Sequence, residues 1–212
     1  MTTRVQVALL GATGKAGNYI LKQLIHQGYA VKALIRKPHE FTYTHPLLQI
    51  IPGDIKDPET ANLLIEDCSV VISAIGQKPG EPLISALSAQ HIISAMNQHR
   101  VMRYLYLAGL TVDVTGDNKS EANQAKTNWM RETYPDVVAD KQMAYALVAN
   151  SNLNWTMVRL PWIEPTTDRR QLSVNLHDSP GEVISTADLA VFVVQHLSNH
   201  TYFKQAPFVA SL

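Results

Sequence analysis

Short apolar runs alternate with amphipathic segments along the chain. Residues 70–75 and 101–107 are almost continuously apolar, which is typical of strands that are buried on both faces. Residues 15–27 and 83–98 carry apolar side chains at helical spacing. Further strands are predicted at 4–10, 30–35 and 47–51. This alternation indicates an α/β fold, in which helices cover both faces of a doubly wound parallel sheet.

The second half of the chain is less regular. Residues 119–150 are predicted to be helical, with a break at Tyr134–Pro135, because proline removes a helical hydrogen bond. The remaining predicted strands lie at 155–160, 171–176 and 206–210. The pattern Ser185-Thr186-Ala187-Asp188 resembles a capping box and predicts the start of a last helix, 189–197.

Composition indicates one globular domain and argues against nucleic acid or a membrane as partner. Of the 212 residues, 46% are hydrophobic and 17% are charged, a balance that favours a packed core over disorder. The 18 basic residues equal the 18 acidic ones, so the chain has no excess positive charge to attract polyanions. We expect a single domain over 1–212, a monomer or homodimer, whose small C-terminal part at 161–185 forms the substrate side.

The cysteine and histidine content bears on compartment and on metal binding. Cys68 is the one cysteine, which excludes an internal disulfide and suits a reducing compartment. The first residues lead into the first strand without the segments of a signal peptide, so we expect a cytoplasmic protein. His196 and His200 lie one helical turn apart but lack a third ligand, and no metal site is expected.

A glycine-rich turn separates the first strand from the first helix. Gly11, Gly14 and Gly17 are spaced G-x-x-G-x-x-G, which permits a tight turn, close approach of a phosphate and close packing of the helix on the strand. An ordinary strand-to-helix turn is the alternative, but a strand before and a helix after favour binding of a dinucleotide pyrophosphate. The predicted cradle comprises Gly11, Ala12, Thr13, Gly14, Lys15, Ala16 and Gly17.

Two cations follow the second strand. In NAD-binding units an acidic residue near this position takes the ribose hydroxyls, whereas Arg36 and Lys37 suit the 2′-phosphate of NADP. An arginine fork can hold a phosphate with two charge-assisted hydrogen bonds. The alternative is solvated charge at a strand end. We therefore predict NADP(H) as the cofactor.

The ends of the third and fourth strands supply further candidates. Asp54 and Ile55 follow the third strand, where Asp54 can bind the adenine amino group or, alternatively, cap backbone amides of its loop. Ala74, Ile75 and Gly76 end the fourth strand, where small residues permit close approach to a ribose or simply pack in a turn.

These features resemble the atypical, NmrA-like branch of the short-chain dehydrogenase/reductase superfamily. Within it, the chain is most similar to NAD(P)H-binding proteins grouped with flavin reductase and biliverdin-IXβ reductase. The matching segments are GATGKAG at 11–17, Arg36-Lys37, Gly53-Asp54-Ile55, Ala74-Ile75-Gly76, Ala108-Gly109, SNLNWTMVRLPWI at 151–163 and VISTADLA at 183–190. The resemblance implies a Rossmann-type fold, with Ala108, Gly109 and Pro161 near the cofactor.

The chain departs from the superfamily at the catalytic positions. The full chemistry uses a serine after the fifth strand and a Tyr-x-x-x-Lys pair, whose tyrosine transfers the proton. Ala108 stands at the serine position, and if Lys141 is the lysine, Val137 replaces the tyrosine. Tyr134 and Tyr145 lie at the wrong offsets from Lys141 to take that role. A tyrosine-dependent carbonyl reduction is therefore not expected.

The substrate pocket is expected at the carboxyl ends of the strands. Its predicted lining consists of Leu110, Thr111, Trp162 and Ile163. Trp162 can stack on a flat ring or serve as core or lid packing. No catalytic residue is evident; Thr111 and Lys141 are the weak candidates, and Lys141 either contacts the nicotinamide ribose or lies on the helix surface. Arg169 and Arg170, in the following loop, can hold an anionic substrate or simply be solvated, and we expect solvation.

Two functions remain open on these grounds. The first is a reductase that passes hydride from NADPH to a flavin, quinone or similar conjugated acceptor, which needs orientation more than a dedicated acid. The second is a non-catalytic, NADP-sensing regulator of the NmrA type that binds a protein partner. The complete cofactor half supports the first, and Ala108 and Val137 support the second.

Overall fold

The computed structural model describes residues 5–212. Arg4, which we included in the first predicted strand, lies outside this range. The strands are β1 Gln6–Leu10, β2 Ala30–Ile35, β3 Leu48–Pro52, β4 Val70–Ser73, β5 Arg103–Gly109, β6 Asn154–Leu160, β7 Trp162–Glu164, β8 Leu172–Asn175, β9 Val183–Ser185 and β10 Phe208–Ser211. The α-helices are α1 Lys15–His26, α2 Pro58–Ile65, α3 Ser85–Gln98, α4 Glu121–Thr133, α5 Pro135–Ala149 and α6 Thr186–Gln195.

The strands described form one sheet in the order β3-β2-β1-β4-β5-β6-β10-β9-β7, with β8 beside β10. The first six strands of this order are parallel; Val7 of β1, for example, lies opposite Val31 of β2 and Val70 of β4. The chain winds outward in both directions from β1 and β4, and this is where ligands bind in doubly wound sheets. The predicted fold class is confirmed.

The edge beyond β6 is mixed. Strand β10 runs parallel to β6 but antiparallel to β8 and β9, while β7 pairs with β9 in parallel. The predicted strands at 171–176 and 206–210 correspond to β8 and β10. The strands β7 and β9 were not predicted, because each has three residues, too few for an alternating pattern to be recognised.

Two hydrophobic cores lie on opposite faces of the sheet. One face is covered by α1 and α6, whose Ile20, Leu24 and Val193 are fully buried. The other is covered by α2, α3 and α5. Strands with apolar side chains toward both cores explain the near-continuous apolar runs of the sequence.

The predicted break in the long helical stretch is confirmed. Tyr134 ends α4 and precedes α5, and Pro135 occupies the first position of α5. Proline is well suited to that position, because the N–H that it lacks has no partner within the helix.

Candidate functional site

Two adjoining cavities lie at the carboxyl ends of the parallel strands. The β2-side cavity, about 520 Å³ in volume, extends toward β2 and β3. The β5-side cavity, about 590 Å³, extends toward β5 and α5. The residues that line both are Thr13, Gly14, Ala74, Ile75, Gly76 and Lys78. The shared lining makes them two ends of one groove across the switch point of the sheet.

The glycine turn brings backbone against backbone at the centre of this groove. Gly11 has φ +81°, and a Cβ there would lie 2.5 Å from the carbonyl oxygen of Ala74. A Cβ at Gly17 would collide with the carbonyl oxygen of Gly11. Any side chain at either position would therefore force α1 and β4 away from the turn.

Helix α1 leaves its N-terminus free for an anion. Gly14 is the N-cap, so no side chain caps the helix, and its first turn contains no acidic residue. The first N–H groups and the positive end of the helix dipole therefore remain uncompensated beside the groove. This cradle, too narrow for a Cβ and rich in N–H donors, fits a pyrophosphate.

The β2-side cavity contains the two predicted cations, and each is paired with a carboxylate. The guanidinium of Arg36 donates to both carboxylate oxygens of Glu81, at 2.9 and 3.2 Å. The ammonium of Lys37 donates to Glu40 at 2.8 Å. The hydrogen bonds between Arg36 and Glu81 raise the pKa of the arginine and lower the pKa of the carboxyl.

Asp54 lines the same cavity and also serves its own loop. Its carboxylate accepts a hydrogen bond from the backbone N–H of Lys56 at 3.0 Å. The predicted cap of its own loop is therefore confirmed, whereas binding of Asp54 to adenine stays a prediction. Ile55 is buried there and lines the wall.

Most of the surface that lines the β5-side cavity is apolar, and the charged residues that line it are cations. Among the described residues that line it, Lys15, Lys78 and Lys141 are charged and none is a carboxylate. Lys141 is half-buried, and desolvation lowers the pKa of its ammonium, while nearby Asp140 acts in the opposite sense. A lysine of this kind can hold an anion or a ribose oxygen at the wall of the cavity.

Two tyrosines that the sequence analysis did not single out reach the β5-side cavity. Burial raises the pKa of Tyr104 and of Tyr106, so both remain neutral phenols around neutral pH. The hydroxyl of Tyr106 donates to the sulfur of Met157 at 2.7 Å. Neither phenol is placed as an ionisable acid near neutral pH.

The predicted site residues divide into those that line the groove and those that do not. Those lining a cavity are Gly11, Thr13, Gly14, Lys15, Ala16, Arg36, Lys37, Asp54, Ile55, Ala74, Ile75, Gly76, Ala108, Gly109, Lys141, Pro161 and Ile163. Those lining neither are Ala12, Gly17, Leu110, Thr111 and Trp162. Val137, at the position of the missing tyrosine, also lies outside both cavities.

Trp162 lies on the surface next to the groove. Trp162 is 70% exposed, and the ammonium of Lys15 lies 5.6 Å from the centroid of its ring. Thr111, in contrast, is buried and lines neither cavity. Of the two weak catalytic candidates, the structure thus brings Lys141 to the cavity and leaves Thr111 outside it.

Glu81, which sequence reasoning missed, is the partner of Arg36. It lies in the segment KPGEP at 78–82, whose Pro and Gly residues mark a loop after the fourth strand. That position at the carboxyl end of a central strand was a usable signal. The sequence does not show which cation the carboxylate of Glu81 would pair with.

Arg169 and Arg170 form ion pairs, so the expectation that they are simply solvated is wrong. Arg169 Nε donates to Asp188 at 2.8 Å, and Arg170 pairs with Glu164 at 2.7 Å. Asp188 is fully buried and also accepts from the hydroxyl of Ser211. Ser185 caps α6 as expected, because its hydroxyl accepts from the backbone N–H of Ala187. Asp188 does not complete the expected capping box, since its carboxylate binds Arg169 and Ser211.

A family model described as NAD(P)H-binding matches residues 11–200. The chain belongs to the NAD(P)H-binding family. The match includes the glycine turn, both cations after β2 and the late segments on which the resemblance was based. The cradle at the start of α1 agrees with it, and the predicted membership of an NAD(P)H-binding family is confirmed.

Curated relatives include proteins of similar and of greater length. The uncharacterized protein YwnB of Bacillus subtilis is 22% identical over 205 residues, which cover 92% of this chain and 93% of YwnB. The Photosystem II assembly factor Ycf39 of Synechocystis sp. is 21% identical over 207 residues, which cover 90% of this chain and 58% of Ycf39. The chain spans 12%, 58% and 39% of three further relatives.

Solved structures share the fold. A short-chain dehydrogenase/reductase of Veillonella parvula, solved in complex with NADP, superposes with a TM-score of 0.80 at 16% identity, over 99% of this chain and 95% of that one. Over residues 5–212, no helix has the length and apolar character needed to cross a membrane, and no cluster of three or more potential ligands could hold a metal ion.

Proposed function

We propose that this protein is an NADPH-dependent reductase that transfers hydride to a flavin, a quinone or a similar conjugated acceptor. One observation carries the proposal: the β5-side cavity adjoins the phosphate cradle yet offers no ionisable acid at the usual positions. Ala108 lines it where a serine is expected, and Val137 lies outside it. An acceptor whose reduction needs no protein acid suits such a cavity.

The choice of NADPH over NADH rests on the β2-side cavity. Arg36 and Lys37 line the end of the groove beyond β2, where the 2′-substituent of the adenosine ribose would lie. A phosphate there would gain charge-assisted hydrogen bonds from the arginine fork. Asp54 and Ile55, on the neighbouring wall, would hold the adenine.

The chain would act by binding and orienting. NADPH, when bound, supplies a hydride, and the acceptor takes up its two electrons while water provides any further proton. The N-terminus of α1 would hold the pyrophosphate, and Lys141 would hold a ribose oxygen. Ile163 and Pro161 line the β5-side cavity, where their apolar surface would shield a bound acceptor from water and so favour hydride transfer over loss to solvent.

Turnover is the test. Purified protein would be mixed with NADPH and a panel of flavins and quinones, and the loss of nicotinamide absorbance followed against protein-free controls. We expect accelerated oxidation with at least one acceptor and slower oxidation of NADH. No acceleration with any member of the panel, from protein that binds NADPH, would contradict the reductase proposal.

A specific observation also supports the second candidate, a non-catalytic NADP sensor. The two catalytic positions hold Ala108 and Val137, and one relative is named as an assembly factor rather than an enzyme. A sensor must bind NADP⁺ and NADPH with different affinities, because only a differential affinity can shift a conformational equilibrium. Calorimetry would give unequal dissociation constants without turnover; equal constants would exclude this role.

A further inference from the structure

The loop at 77–84, between β4 and α3, takes part in both cavities. Glu81, Pro82 and Ile84 line the β2-side cavity, Gln77 lines the β5-side cavity, and Lys78 lines both. The side-chain amide of Gln77 donates to the backbone carbonyl of Glu81 at 2.8 Å. This hydrogen bond folds the loop back on itself and presents the carboxylate of Glu81 toward β2.

The carboxylate of Glu81 uses the same edge of Arg36 that a phosphate would use. Its two oxygens accept from the two terminal nitrogens of the guanidinium, at 2.9 and 3.2 Å. This is the two-pronged geometry by which arginine recognises carboxylate and phosphate alike. Both side chains are accessible, at 43% and 41%, so the pair can open without unfolding the core.

The ion pair between Lys37 and Glu40, in the same cavity, is different in kind from the pair between Arg36 and Glu81. The carboxylate of Glu81 also lies 3.9 Å from the ammonium of Lys78. Lys37 and Glu40 are three residues apart and pair within one short turn. Arg36 and Glu81 are 45 residues apart and join β2 to the loop after β4. Opening the pair between Arg36 and Glu81 therefore frees a loop that forms part of both cavities. Opening the pair between Lys37 and Glu40 frees only a side chain.

A carboxylate in this position treats the two nicotinamide cofactors differently. A 2′-phosphate would compete with it for Arg36 and would be repelled by its charge. A 2′-hydroxyl carries no charge and can donate a hydrogen bond to the carboxylate. The pair therefore opposes NADPH more strongly than NADH.

We propose that Glu81 determines cofactor specificity by occupying the phosphate site of Arg36 before the cofactor binds. The 2′-phosphate of NADPH must displace this internal carboxylate and move the loop at 77–84, and NADH need not. The inference rests on the proposed NADPH-binding function. It adds that Glu81 makes the preference for NADPH over NADH smaller than Arg36 alone would make it.

The variant Glu81→Gln tests the proposal through binding alone. Dissociation constants for NADPH, NADH and adenosine 2′,5′-bisphosphate would be measured by calorimetry at constant salt. Because the variant no longer has the exposed ion pair that competes for Arg36, NADPH and the bisphosphate should bind about three- to fivefold more tightly. The dissociation constant of NADH should change by less than about twofold. Glu59→Gln, an equal charge change at an exposed position of α2 outside both cavities, is the matched control.

A double-mutant cycle separates competition from a general charge effect. In an Arg36→Ala background, Glu81→Gln should tighten NADPH clearly less than in the unaltered chain, because the competition for Arg36 is gone and only the repulsion between the two negative charges is relieved. Equal tightening of NADPH and NADH, equal tightening by Glu59→Gln, or an undiminished effect without Arg36 would each overturn the proposal. If the unaltered chain binds neither NADPH nor NADH, the proposed function itself fails.

Discussion

At the scale of single residues, Arg36 is the side chain on which the cofactor preference depends. Its guanidinium carries five N–H donors and can offer two at a time to a phosphate, but in the structure its two terminal nitrogens donate to Glu81. Its contribution to binding is therefore a difference between two charge-assisted interactions. The sequence indicated the cation, and only the contact across the groove showed its competitor.

Replacement of this cation should separate the two cofactors. Arg36→Ala is expected to weaken NADPH binding by about 1.5–3 kcal/mol, because hydrogen bonds to the 2′-phosphate are lost, and to leave NADH nearly unchanged. Titration calorimetry would measure both. Lys22→Ala, which removes an exposed cation from α1, is the control. An equal loss for the two cofactors would contradict the assignment of NADP(H).

Cys68 makes a prediction about pH at the same scale. Burial raises the pKa of its thiol to about 11, and the sulfur lies 3.4 Å from the carbonyl oxygen of Leu64. In the unfolded chain the thiol has the usual cysteine pKa of about 8.5. Above that pH the unfolded chain gives up a proton that the folded chain retains, so alkali favours unfolding.

The free energy of unfolding should therefore fall as the pH rises toward 11, by up to about 1.4 kcal/mol per unit from this group. Lysines and tyrosines titrate in the same range, so the contribution of the thiol is obtained by comparison with a variant that lacks it. Urea denaturation of the unaltered chain and of Cys68→Ala at several pH values should show a shallower fall for the variant. Parallel curves would mean that the thiol is not protected by burial.

At the scale of elements, α3 shows how a helix end can depend on a distant residue. Its N-cap is Ile84, whose side chain cannot accept a hydrogen bond. The carboxylate of Asp140, on α5, accepts instead from the backbone N–H groups of Ser85 and Ala86, at 2.8 and 3.1 Å. Asp140 thus supplies the missing cap and fixes α5, with the adjacent Lys141, against the start of α3.

Removal of this cap should destabilise the protein measurably. Asp140→Ala leaves two N–H groups at the start of α3 without their acceptor and should lower the free energy of unfolding by about 1–2 kcal/mol. Denaturant titration would measure it. Glu132→Ala, at an exposed position of α4, should change stability by less than about 0.5 kcal/mol. Similar values for both variants would show that water replaces the cap.

At the scale of the whole molecule, Arg159 joins segments that are far apart in the chain. It lies on β6 with no exposed surface and donates to both carboxylate oxygens of Asp117, at 2.8 and 2.6 Å. It also donates to the backbone carbonyls of Ala206 and Leu176, and its guanidinium lies 3.5 Å from the ring centroid of Phe208. One cation therefore holds the loop after β5 to the mixed edge of the sheet.

Loss of its carboxylate partner should cost more than loss of a surface pair. Asp117→Ala leaves a buried guanidinium with only part of its partners and is expected to cost about 2–4 kcal/mol of unfolding free energy. Glu182→Ala breaks the exposed pair with Lys126 and should cost less than about 1 kcal/mol. Equal losses in denaturant titrations would mean that the backbone carbonyls alone satisfy Arg159.

Features that depend on neighbouring residues could be predicted from the sequence. Apolar periodicity decided the parallel strands and the helices that cover them, Pro135 decided the break between α4 and α5, and three glycines decided the turn before α1. Each follows from the conformational limits of a short stretch of backbone, which act before any distant contact exists.

The tertiary structure alone decided which charged groups meet. The carboxylates of Glu81, Asp140 and Asp188 are all visible in the sequence. The groups that they bind in the site and at the helix ends, on Arg36, Ser85 and Arg169, lie 45, 55 and 19 residues away. Such contacts arise only when the sheet brings separate strand ends together. For this reason the cradle was predictable from the sequence, whereas the carboxylate that competes for Arg36 was not.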